Sequence, residues 1–156
     1  MGTRTGTIDP GVLLYLMEEH DMDAKAIEDL LYRRSGLLGV SGLSSDMRTL
    51  RGSSAPEAAE AIALFVYRAV REIGSLAAAL GGIDALVFTA GIGENDPATR
   101  AQIAAGCHWL GLEIDPARNT AGERRISRDG SRMTAWVIPT DEERMIARYA
   151  SAALRS

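Results

Sequence analysis

The chain has 156 residues, close to the size of one domain of about 150. Hydrophobic residues make up 46% and aromatics 5%, which calls for an aliphatic core and excludes a disordered or collagen-like chain. The 21 acidic residues outnumber the 17 basic ones, giving a net charge of −4 that argues against a nucleic-acid binder, and a P-loop is excluded because Lys25 is the one lysine and follows no glycine.

A single cysteine, Cys107, offers no internal disulfide and points to a reducing compartment. His20 and His108 stand far apart without companion ligands, so no structural zinc site is expected. The first ten residues are polar and Gly/Thr-rich, unlike a secretory signal. Every apolar stretch is broken well short of the ~20 residues of a membrane span, so a cytoplasmic location away from membranes is expected.

Residues 1–9 read as a loop. Asp9-Pro10 predicts a helix start, because Asp caps free amides and Pro suits the first helical position. Val12, Leu13, Leu16 and Met17 give that helix an apolar face. Asp23 caps a second helix carrying Ile27, Leu30 and Leu31, and Gly36 is expected to end it in a left-handed conformation. Residues 35–54 are rich in Ser and Gly, as a linker would be, but Leu37, Leu38 and Val40 argue for packing.

Pro56 to Leu80 is predicted as one long helix stopped by Gly81-Gly82, with Ile62, Phe65, Val66, Ala69, Ile73, Leu76 and Leu80 on one face. Asp84 to Ala90 reads as a buried parallel strand. A glycine turn follows, then a helix over 98–108 begun by Asp96-Pro97. Residues 112–114, 135–138 and 124–127 read as short strands, and a final helix runs from about 141 to 154. This order predicts an α/β layered domain occupying residues 1–156.

Four segments can carry chemistry. In VFTAGIGENDPATR a strand feeds a glycine-rich turn, where Gly91 and Gly93 let backbone approach a phosphate and Asn95 can bond a base or ribose; the same pattern also serves a ligand-free strand–helix turn. Asp96 reads as a cap. In SGLSSDMR, Asp46 suits ribose hydroxyls or a metal-bound water and Arg48 suits phosphate, or the two form a surface pair. In VIPTDEERMIAR, Thr140 and Glu143 fit a capping box, leaving Glu142 either for Mg²⁺ or as an ordinary first-turn acid. Arg4, in a Gly/Thr loop, can clamp a carboxylate or a transferring phosphoryl group, or stand as an exposed arginine. Cys107 and His108 point in different directions and read as packing residues.

Taken in order, MGTRTGTIDPG, LLYRRSGLLGVSGLSSDMR, ALGGIDALVFTAGIGEN and VIPTDEERMIAR resemble the acetate kinase family. The resemblance is to the C-terminal portion of that family's chains, and the N-terminal half is absent. It implies a ribonuclease-H-like domain of the actin and sugar-kinase type. It also implies Mg²⁺-dependent phosphoryl transfer between ATP and acetate, giving acetyl phosphate and ADP, in a protein that forms a homodimer at full length. By motif, Arg4 matches the arginine that stabilises the transferring phosphoryl group. Asp46, Met47 and Arg48 match a nucleotide-contacting triplet. Gly91, Ile92, Gly93, Glu94 and Asn95 match the adenosine loop, and Glu142 the magnesium glutamate. Asp141 departs from the family's usual Asn, and Met47 from its Phe or Leu. The catalytic Asp, the substrate Arg and both active-site histidines would lie in the missing half. A propionate or butyrate kinase is the alternative in the same class. A non-catalytic nucleotide-binding or dimerisation remnant is the alternative outside it.

Overall fold

The computed structural model describes residues 2–154, with the backbone alone at Glu142. The chain divides into two compact units, Met1–Ala69 and Val70–Ser156.

The first unit opens with α1 (Pro10–Glu19), whose Asp9 cap accepts from the Gly11 amide at 2.7 Å. Its predicted apolar face is half covered: Leu13 and Leu16 are half-buried, while Val12 and Met17 stay exposed. In α2 (Ala24–Arg33), Asp23 accepts from the Ala26 amide and Ile27 enters the core. This helix stops at Arg33, before Gly36. The left-handed Gly36, at φ 63°, instead opens α3 (Gly36–Ser41).

The Ser/Gly-rich stretch is thus two short helices, α3 and α4 (Met47–Arg51), and not a linker. Leu37, Met47 and Leu50 lock it into the core at 3%, 4% and 1% exposure, although Val40 remains exposed. The serines earn their place through hydrogen bonding. Buried Ser41 Oγ accepts from the amides of Leu43 and Ser44, satisfying backbone that no helix partner reaches.

The long helix α5 (Pro56–Leu80) has the predicted bounds, and the division between the units falls inside it. Ala58, Ala61 and Ile62 pack in the first unit and Ala77 in the second. Gly81 and Gly82, both at positive φ, end it.

In the second unit, β1 (Ala85–Phe88) leads into α6 (Ala90–Asn95) and α7 (Pro97–Gly106). A 3-10 turn (His108–Leu110), α8 (Pro116–Ala121), β2 (Thr134–Val137) and α9 (Glu142–Ala153) follow. β1 and β2 are parallel, with Ala85 opposite Thr134 and Phe88 opposite Val137. The ladder continues through Thr134 N–H to the Asp84 carbonyl and Ile138 N–H to the Phe88 carbonyl, each 2.9 Å. A parallel pair needs a long crossover, and the intervening helices supply it.

Three expectations change here. The segments 112–114 and 124–127 make isolated bridges (Leu112 to Met133, Ile114 to Ser127, Arg125 to Trp136) and no strand, because Pro116 turns the chain into α8 after one pair. β1 is not a buried strand: Phe88 alone is buried and Val87 is 48% exposed, because the face of the sheet that carries Val87 is left largely open among the described residues. α8 was not expected, although Asp115-Pro116 repeats the cap-and-proline start seen at residues 9–10 and 96–97. Ile103, Cys107, Leu112, Ile126, Met133 and Ala135 form the core of this unit. Burial pushes the Cys107 thiol up, in keeping with a packing role. No described helix is long and apolar enough to cross a membrane.

Candidate functional site

Because β1 and β2 are parallel, both chains leave the sheet at the same edge. Ligands of open α/β sheets bind outside such carboxyl ends. α6 follows β1 there, and the segment leading to α9 follows β2.

The expected glycine turn is a turn of helix. Ala90 enters it at φ 58°, Asn95 Nδ2 donates to the Gly91 carbonyl at 2.9 Å, and the Asp96 amide reaches the Ile92 carbonyl at 3.0 Å. The Asn95 amide thus closes its own turn. The two glycines differ. A Cβ on Gly91 would meet nothing within 4 Å, so the backbone is bare on that side. A Cβ on Gly93 would sit 3.1 Å from the Phe88 carbonyl carbon, so this glycine lets α6 fold back on the end of β1. Ile92 is half-buried. Asp96 is the cap of α7, accepting from the amide and hydroxyl of Thr99 at 2.9 and 2.6 Å.

Behind this turn lies Arg100, 1% exposed. Its Nη1 donates to the carbonyls of Gly93 and Glu94 at 2.9 and 2.8 Å, and its Nε and Nη2 bond buried Asn119. Asn119 Nδ2 donates in turn to the Pro97 carbonyl at 2.8 Å. Burial lowers the affinity of this guanidinium for its proton, and the Asp96 carboxylate acts the other way. The sequence analysis did not single out this arginine, although its spacing of four residues after Asp96 was an available signal.

Glu94 turns its carboxylate away from its own helix. One oxygen accepts from the Thr140 amide at 2.9 Å and from the Thr140 hydroxyl at 3.1 Å. These bonds, the amide's first, hold the Glu94 carboxyl below its ordinary pKa. With its amide and hydroxyl both committed, Thr140 does not form the expected capping box with Glu143. The cap of α9 is Asp141, whose carboxylate accepts from the Arg144 amide at 3.0 Å. Glu142 is the first residue of α9, and its side chain lies outside the described residues. Among the described residues no group of three or more His, Cys, Asp or Glu converges.

In the first unit, Asp46 caps α4, accepting from the amides of Arg48 and Thr49 at 2.9 and 3.0 Å. The Thr49 amide and the Arg48 guanidinium, 3.3 Å away, hold its carboxyl below the ordinary value. Arg48 itself is exposed, whereas the Met47 side chain is core. Arg4 is exposed, with its guanidinium 5.3 Å from the Tyr32 ring centre. Together with Arg68 it lines a groove of about 200 Å³ floored by Leu37, Ala61 and Phe65. The sequence did not single out Arg68. The structure thus groups Gly91 to Asn95 near Thr140 in one unit, and Arg4 and Asp46 to Arg48 in the other.

A model described as the acetokinase family matches residues 1–148. The acetate kinase of Rhodopseudomonas palustris is 60% identical over 151 residues, which cover 96% of this chain and 38% of that relative. The chain thus spans well under half the length of the curated relatives it matches. Its fold is similar to that of Porphyromonas gingivalis acetate kinase (TM-score 0.87, 40% identity, 99% of this chain and 40% of that one). It is equally similar to a propionate kinase from Francisella tularensis (TM-score 0.87, 37% identity, 94% of this chain and 38% of that one).

Proposed function

Since the chain belongs to the acetokinase family, we propose that it is the nucleotide-binding part of a kinase that moves a phosphoryl group between ATP and acetate. The observation that carries this reading is the convergence of α6 and the head of α9 at the carboxyl edge of the parallel pair, joined by Glu94 and Thr140. The bare backbone at Gly91 suits close approach of a nucleotide, with Ile92, Gly93, Glu94 and Asn95 completing the segment. Asp46, Met47 and Arg48 are proposed as the second nucleotide segment. Buried Met47 would contribute through its backbone and exposed Arg48 through its fork of donors.

Transfer of phosphoryl to a carboxylate oxygen releases ADP and forms an acyl phosphate. Such a reaction needs positioning and charge neutralisation more than covalent help. Arg4 is assigned the task of stabilising charge on the transferring group. Glu142 would hold Mg²⁺, which when bound neutralises phosphate charge. We further propose that the complete protein is a cytoplasmic homodimer.

The acyl acceptor has a second reading. Likeness to the propionate kinase is as close in fold as likeness to the acetate kinase, so propionate is the alternative substrate. Calorimetric titration of ADP, with and without Mg²⁺, into the 156-residue chain tests the nucleotide reading. Binding that Gly91→Val removes is expected. A folded chain that takes no ADP would overturn it. Acyl phosphate formation from acetate and propionate, measured on a full-length relative with Arg4→Ala at the matching position, tests the transfer.

A further inference from the structure

The hydrogen bonds of Glu94 divide its labour. Its carbonyl is gripped from inside by Arg100 at 2.8 Å. Its carboxylate reaches across 46 residues of sequence to Thr140. One of its two carboxylate oxygens is thus filled by an amide and a hydroxyl of Thr140, and the side chain is turned toward that segment. It is well placed to fix one segment against another. Thr140 is one residue before the cap Asp141, so whatever holds Thr140 sets where α9 begins. Just upstream, the last rung of the ladder runs from Ile138 to Phe88. Beyond that rung the Glu94–Thr140 bonds join α6 to the segment that leads into α9.

We propose that Glu94 is a positioning residue, whose carboxylate pins the Thr140 amide and hydroxyl so that α6 and the head of α9 present one preformed surface to the nucleotide. The inference rests on the nucleotide reading above and assigns Glu94 a part in it other than direct contact. Loss of the tether leaves both segments folded and makes the ligand order them on binding, which weakens affinity.

The test is a comparison of ADP affinity by calorimetry in the 156-residue chain and four variants, each with a thermal melt. Glu94→Ala is expected to weaken ADP binding by about tenfold, the size of one lost charge-assisted hydrogen-bond pair. Glu94→Gln keeps an accepting oxygen and is expected to restore most of that loss. Thr140→Val keeps the amide and loses the hydroxyl. It should weaken ADP in the same direction by a smaller factor, although it removes nothing a direct Glu94–nucleotide contact would use. The double variant Glu94→Ala, Thr140→Val should be no weaker than Glu94→Ala alone. If Thr140→Val leaves ADP affinity unchanged while Glu94→Ala lowers it, Glu94 touches the nucleotide directly and the proposal falls. Additive losses in the double variant overturn it also. If the folded wild-type chain binds no ADP, the nucleotide reading itself fails, a result distinct from either of these.

Discussion

Arg100 and Asn119 hold each other twice: Arg100 Nε donates to Asn119 Oδ1 at 2.8 Å and Arg100 Nη2 to the Asn119 carbonyl at 2.6 Å. Both residues are buried, and the remaining reach of the guanidinium goes to the carbonyls that close α6. A buried cation with these partners is worth far more than a surface one, because its removal strands several acceptors away from water. Arg100→Leu is expected to cost ~3 kcal/mol or more of unfolding free energy, read as a lower urea midpoint. Arg100→Lys should recover little, since an ammonium cannot reproduce the planar fork. A midpoint within error of wild type for either variant would contradict this account.

The two glycines of α6 should separate stability from binding. Gly93→Val pushes a side chain against the Phe88 backbone, and overpacking of this kind costs about 1–3 kcal/mol. Gly91→Val meets open space. The expected outcome is a lowered Tm for the first with a smaller change for the second, and loss of ADP binding in the second. Gly93 therefore cannot serve as a pure probe of the nucleotide, despite lying in the same motif.

The carboxylates at the head of α9 are also distinguishable. Asp141→Ala removes the observed cap and should cost about 1 kcal/mol, seen as a lower Tm or as faster amide exchange at Arg144. Glu143→Ala should leave both unchanged, because the cap is made without it. A destabilised Glu143→Ala would restore the capping box that the structure replaces.

Asp46 gives a pH dependence of known sign. Its carboxyl is held below the ordinary value, so its cap favours the fold at every pH above the unfolded value and is lost as pH falls through the folded one. The Tm gap between wild type and Asp46→Ala should be full at neutral pH and should close only below the usual carboxylate range of about 3.9. A gap that closes near pH 6 would assign the effect to another group.

Local chemistry was legible in the sequence, and contacts between distant segments were not. The caps at Asp9, Asp23 and Asp96 and both ends of α5 were readable because each depends on residues within one turn. Asp115-Pro116 carries the same signal but heads a helix of six residues, too short for an apolar period to show. Thr140 and Glu143 matched a capping box by spacing, yet a carboxylate 46 residues away claimed the Thr140 groups first. Arg100 reads as an ordinary surface cation until the fold surrounds it with carbonyls. Asp46 and Met47 lie side by side in sequence, one capping a helix and one in the core, and only the fold reveals that difference.

The one-sided pairing of β1 has a practical consequence for the molecule in solution. Among the described residues the other edge of the four-residue β1 has no strand partner, beside a half-exposed Val87, and such an edge is a template on which another strand can add. Purified at high concentration, the 156-residue chain should therefore be prone to pair with a second copy through Ala85–Phe88, a gain in mass that light scattering would read while its helices stay folded. A lysine in place of Val87 would blunt the edge and lengthen the useful life of the sample.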